Sequence, residues 1–154
     1  MIKIQSLSGK IEESSEIPSR YISKEEASCN CCGEAFLFSP MIKLFNAVRE
    51  KLAVPIRINS FYRCKKHQEE LKKQGYKAAT ISPHNYGCGM DLTIPQGMTI
   101  KELMQAFKKE SLELGYGVPR FGHKLYNDTF LHVDLAYLLK NNPCPAAWRE
   151  GVEW

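Results

Sequence analysis

Ser82-Pro83-His84-Asn85-Tyr86-Gly87-Cys88-Gly89-Met90-Asp91-Leu92-Thr93-Ile94 runs from a glycine-punctuated loop into a strand, and its reading decides the fold. Met90, Leu92 and Ile94 alternate with Asp91, so one strand face is apolar and the other carries a carboxylate. Phe130-Leu131-His132-Val133-Asp134-Leu135 repeats the pattern, with Leu131, Val133 and Leu135 opposite His132 and Asp134. Two such strands call for a sheet with one face in the core and a polar face that carries chemistry. The loop bearing His84 can fold over the end of the strand that follows it. Gly87 and Gly89 are expected to let the backbone turn tightly between His84 and Asp91.

Outward from this pair, Pro55-Ile56-Arg57-Ile58-Asn59-Ser60 alternates in the same way and reads as a further strand. Ser39-Pro40 opens a helix whose Met41, Leu44, Phe45, Val48 and Leu52 repeat at helical spacing. Residues 64–75 read as a polar helix ended by Gly75. Thr99 starts another, with Leu103, Met104, Phe107, Leu112 and Leu114 toward the core and Gly115 and Gly117 breaking it. Ser23 and Glu26 fit a capping box. Residues 1–21 are polar and read as an extended arm, leaving 22–154 as the domain. Helices and strands are mixed and short strand-to-strand connections are scarce. The expected fold is therefore α+β, a small, mainly antiparallel sheet flanked by helices.

A chain of 154 residues suits one hydrophobic core. No apolar run approaches the roughly 20 residues of a membrane helix, and the N-terminus lacks the apolar core of a signal peptide. Synthesis in the cytoplasm without classical export is expected, unless a partner releases the protein. The net charge of +4 is too mild to define a partner. Lys65, Lys66, Lys72, Lys73 and Lys77 cluster without interleaved aromatics, which argues against nucleic acid. Nothing points beyond a monomer. The cysteines at 29, 31, 32, 64, 88 and 144 allow three readings: reduced thiols, disulfides, or a second metal in which Cys29, Cys31 and Cys32 gain a ligand such as Cys64.

His84, Asp91 and His132 are a ligand set for zinc: imidazole nitrogen and carboxylate oxygen, with a coordination position left for water. A zinc ion so held lowers the pKa of its water and polarises a carbonyl, the needs of amide hydrolysis. The run Ile58-Asn59-Ser60-Phe61-Tyr62-Arg63, then Ser82-x-His84, Gly87, Gly89-x-Asp91 and Phe130-Leu131-His132-Val133-Asp134 resembles the zinc D-Ala-D-Ala carboxypeptidase family. The similarity is to its His-x-Asp branch of murein endopeptidases and phage lysins, with a fold shared by the hedgehog signalling domain. It extends from about residue 22 to the C-terminus and includes the Cys29-x-Cys31-Cys32-Gly33 entry.

The resemblance implies zinc on His84, Asp91 and His132, a peptidoglycan stem peptide as substrate, Arg63 as the anchor of its carboxylate and Ser82 as a support beside His84. Arginine suits that task because its planar fork grips a carboxylate at two points. Many members carry an acidic residue three positions before the last histidine, where this chain has Thr129, and Asp128 lies one position too early. Asp134 is therefore the first choice for moving the proton, or else it orients a ligand by a hydrogen bond. His123 is a further candidate, for stabilising the tetrahedral intermediate. Two other readings compete. His132-x-Asp134 with another histidine would also suit a non-haem iron oxygenase, provided Asp134 ligates. A metal-retaining binding module without catalysis is the other. Trp148 and Trp154 could stack on glycan or anchor the tail.

Overall fold

The computed structural model describes residues 1–76, 81–140 and 147–154, so Lys77 and Cys144 lie outside the described residues. The expected α+β fold is present, with two sheets rather than one. The larger contains β4 (Ile58–Ser60), β5 (Gly89–Leu92), β6 (Arg120–Gly122) and β7 (Leu131–Asp134) in the order β4-β5-β7-β6, all antiparallel. Its register builds two faces. Met90 pairs with Val133, which pairs with Phe121, and Leu92 pairs with Leu131; all five are buried. Asp91 pairs with His132 and His132 with Gly122, while Gly89 pairs with Asp134 and Asp134 with Arg120. Because side chains alternate along each strand, the two polar rows share the opposite face.

Helix α2 (Ser39–Leu52) carries Pro40 at its start and buries Met41, Ile42, Leu44, Phe45 and Val48. It packs on α4 (Ile100–Glu113), which Thr99 and Glu102 open with a reciprocal capping box and which buries Leu103 and Phe107. These side chains and the apolar face of the larger sheet form one core cluster. The Ser23–Glu26 capping box is present and opens the short α1 (Lys24–Ala27). Glu26 also accepts the backbone N–H of Ile58 at 3.0 Å, so one carboxylate ties α1 to the edge strand β4. Helix α3 spans Lys65–Lys73, and Gly75 follows at φ +84°. Among the described residues no helix is long and apolar enough to cross a membrane.

The N-terminal residues differ from the expected arm. β1 (Ile2–Gln5) and β2 (Ile11–Ser14) form a hairpin, and β1 pairs in parallel with β3 (Ala35–Phe38) to give the second sheet, β2-β1-β3. A strand as polar as Ile11-Glu12-Glu13-Ser14 has no periodic signal of its own. Its ladder partner β1 supplies the backbone bonds, and β1 is in turn held by β3.

Candidate metal centre

The site lies on the polar face of the larger sheet, and each ligand arrives by a different route. Asp91 and His132 are direct cross-strand neighbours on β5 and β7, which sets their side chains side by side. His84 comes from a single 3₁₀ turn, Pro83–Tyr86, which Ser82 caps: its Oγ accepts from the His84 N–H at 3.3 Å, and its own N–H donates to Asn85 Oδ1 at 2.9 Å. Gly87 ends that turn at φ +63° with its Cα against the backbone of Phe36 and Leu37; an added Cβ would lie 2.0 Å from the Phe36 carbonyl oxygen. Gly89 works differently from the expectation. It sits in a strand without positive φ, and it is small because a Cβ there would meet His132 Cε1 and Pro83 Cβ at 3.0 Å. The missing side chain is the space the His132 ring occupies.

His84 Nε2 lies 3.1 Å and His132 Nδ1 2.9 Å from the same oxygen, Asp91 Oδ1. Each imidazole is held from behind. His84 Nδ1 donates to the Phe61 carbonyl at 2.8 Å, and His132 Nε2 donates to Asp134 Oδ2 at 2.7 Å. These back-bonds fix the tautomers: in a neutral ring, the nitrogen facing Asp91 bears a lone pair. Burial pushes the His84 pKa down, although nearby Asp91 works against this, so its neutral form sets a lone pair against a carboxylate oxygen. Burial also opposes charge on His132, but hydrogen bonds to Asp134 and Asp91 overcome it and raise that pKa to about 9. Asp91 itself would be raised by burial, yet His84 and His132 hold it well below the ordinary carboxylate range.

Three atoms that can each offer a lone pair converge on one point, His132 Nδ1 once its ring gives up a proton, and both rings are already held from their far sides; such a set could hold a cation. One ligand atom from each of His84, Asp91 and His132 falls within 4.8 Å of the others. The residues present therefore fit a metal ion. Back-bonding of ligand imidazoles by a carbonyl and a carboxylate is also the usual outer support of such sites.

The ligands line a cavity of about 980 Å³, shared with Arg63, Ser82, Arg120, Tyr126, Thr129, Trp148 and Trp154. Arg63 is pre-set by Gln68 Oε1 at 2.7 Å and Ser60 Oγ at 3.2 Å, with Asp91 Oδ2 at 3.5 Å. Its backbone is clamped as well, the N–H to the His84 carbonyl and the carbonyl to Asn85 Nδ2. Arg120 and the tryptophans carried no signal as site residues beyond the aromatic character of the tail. The Trp154 indole lies across Gly122, where a Cβ would come within 2.5 Å of it, and its ring centre is 5.2 Å from that of His132. Arg120 is buried beneath this ring at 4.7 Å, and among the described residues its Nε and Nη1 have no hydrogen-bond partner. Trp148 is buried edge-on to Tyr86. Both tryptophans thus wall the cavity and anchor the tail at once.

Two expected roles meet a different geometry. Asp134 is fully buried, is absent from the cavity wall, and touches the ring nitrogen of His132 that faces away from Asp91. Its other oxygen accepts from the Ala136 N–H and lies 3.8 Å from Arg120. This placement matches the orienting role rather than the proton-moving one, and it removes Asp134 from the iron-type ligand set. His123 does not reach the cavity. Its Nδ1 binds Asp128 at 2.6 Å and its Nε2 binds Glu153 at 2.7 Å, which ties the tail to the loop before β7. No protein-family model matches the chain, and no curated protein was found to match it.

Proposed function

We propose that the chain is a zinc-dependent hydrolase of peptide bonds in peptidoglycan stem peptides. The observation that carries the reading is the convergence of His84 Nε2, Asp91 Oδ1 and His132 Nδ1 on one point at the floor of a large cavity. The resemblance of the surrounding motifs supplies the substrate class. A zinc ion on these three ligands would lower the pKa of a water molecule and polarise a substrate carbonyl. The protein's own residues do the rest. Arg63, rigid before any ligand arrives, offers its guanidinium to a peptide carboxylate. Phe61 and Asp134 hold the two imidazoles in register, and Trp154 shields His132 from bulk water.

One observation favours a second reading, a metal-retaining binding module without turnover. Among the described residues, Asp91 is the only carboxylate on the cavity wall, so a separate acid/base group of that kind is missing there. Incubation of purified cell wall with the protein, followed by mass spectrometry of released fragments, separates the two. Hydrolysis should release peptides with new termini, stop with a chelator and be lost in His132→Ala. Wall binding without any released fragment would establish the binding module instead.

A further inference from the structure

We propose that Cys29, Cys31, Cys32 and Cys64 form a second metal centre, a tetrathiolate site for a structural zinc ion. It clamps the turn after α1 to the start of α3. The four sulfurs lie within 4.8 Å of one another, with Cys31 Sγ 3.1 Å from Cys64 Sγ and 3.6 Å from Cys29 Sγ. Zinc–sulfur bonds of about 2.3 Å place tetrahedral corners about 3.8 Å apart, so small side-chain adjustments would complete the tetrahedron. All four are free thiols. Disulfides would need only pairs, whereas here four thiols from two distant segments share one place.

The local chain is built for this grouping. Gly33, at φ +72°, reverses the backbone, and two hydrogen bonds close the turn: Gly33 N–H to the Cys29 carbonyl and Cys29 N–H to the Glu34 carbonyl, both 2.8 Å. Three cysteines within four positions then face Cys64, the cap of α3. Backbone N–H donors already point at two of the sulfurs. The Cys64 N–H and the His67 Nδ1 each lie 3.4 Å from Cys29 Sγ, and the His67 N–H lies 3.4 Å from Cys64 Sγ. Such contacts stabilise thiolate more than thiol.

The first turn of α3 adds an independent sign. It carries Lys65 and Lys66 and no acidic residue, the reverse of what a helix dipole favours. Four thiolates around a divalent cation leave a net charge of −2, and two lysines beside such an anion are favourable. Soft sulfur ligands select zinc over hard cations, and four protein ligands leave no open position, so the ion holds structure. On binding, the thiols release their protons to solvent and no oxidant or reductant takes part.

The test uses the full chain and does not depend on the histidine site. Zinc per chain is measured by elemental analysis in the wild type, in His132→Ala and in a Cys31→Ser/Cys64→Ser double variant. The proposal expects one bound zinc in His132→Ala, released stoichiometrically by an organomercurial that attacks thiolates. Cobalt substituted into that variant should give an intense thiolate-to-metal charge-transfer band. The double variant should lose this zinc and melt at a lower temperature. If the histidine reading fails, the wild type holds one zinc and the mercurial still releases it. Zinc-free His132→Ala with four freely reactive thiols overturns the proposal, as does an intact mass showing disulfides or iron in place of zinc.

Discussion

Asp134 and Gly89, partners across β5 and β7, both act on His132, one by a bond and one by an absence. Asp134 accepts from Nε2 at 2.7 Å and so turns Nδ1 toward Asp91. Asp134→Asn should keep the fold and the metal stoichiometry but weaken metal binding by about 10–100-fold, as outer-shell substitutions do. His132→Ala should empty the site. Competition against a chelator of known affinity measures both; equal affinity in Asp134→Asn and wild type would remove the orienting role. Gly89→Ala places a methyl group 3.0 Å from His132 Cε1 and from Pro83 Cβ, so the held ring must shift by a few tenths of an ångström, and it should also weaken binding while the protein stays folded. Gly87→Ala meets backbone at 2.0 Å with φ +63°, where nothing can give way. It should cost stability well above the roughly 1 kcal/mol of an ordinary left-handed alanine, seen as a large fall in melting temperature. The two glycines look alike in sequence and differ in what the missing Cβ would strike.

The C-terminal tail is an element in its own right. Phe121 donates its N–H to Val152 and accepts from the N–H of Trp154, so the tail extends the β6 edge of the larger sheet and lays its indole over the site. His123 secures it through Asp128 and Glu153. Burial lowers the His123 pKa, but the hydrogen bonds to these two carboxylates outweigh it, and the folded value ends above the ordinary 6.5. A raised folded pKa means stability that is fully present below about 6.5 and is lost as pH rises through the folded value. Thermal melts of the protein should therefore show a decrease on going from pH 6 toward alkaline pH. His123→Gln should flatten that step; an unchanged step would assign it elsewhere. At the other edge, Glu26→Ala keeps the Ser23 cap but removes the carboxylate that accepts from the Ser23 and Ile58 N–H groups, for an expected loss of about 1–2 kcal/mol by denaturant titration.

On the scale of the whole molecule, one core supports both the fold and the site. Phe45 and Phe107 are fully buried in the cluster that also takes in the apolar face of the larger sheet. Phe107→Ala should cost about 3–5 kcal/mol, a large share of the roughly 5–15 kcal/mol a domain of this kind possesses. Because Met90 and Val133 pack into this core while Asp91 and His132 stand on the reverse face, metal release and unfolding should coincide in that variant. Following metal content and circular dichroism along one melt checks it.

The period-two alternation in 89–94 and 130–135 determined which side chains share a face, because strand geometry turns every second residue to the same side. Likewise, helical spacing in 39–52 and at Leu103 and Phe107 determined which residues enter the core, whereas Leu112 and Leu114, expected there too, are exposed at the end of α4, where Glu110 and Ser111 are buried instead. The same local logic placed the Ser23 and Thr99 caps. Contacts between distant segments had no such signature. Only the register of β5 against β7 made Asp91 and His132 neighbours, and only the far-side bond to His132 assigned Asp134 its orienting place. The hairpin of residues 2–14 exists because β3 offers its edge, and the tail covers the site because β6 offers another. Cys64 meets Cys29, Cys31 and Cys32 across more than thirty residues for the same reason. Local periodicity is a property of a segment, whereas ladder pairing and close approach belong to pairs of segments and arise only when the chain is packed.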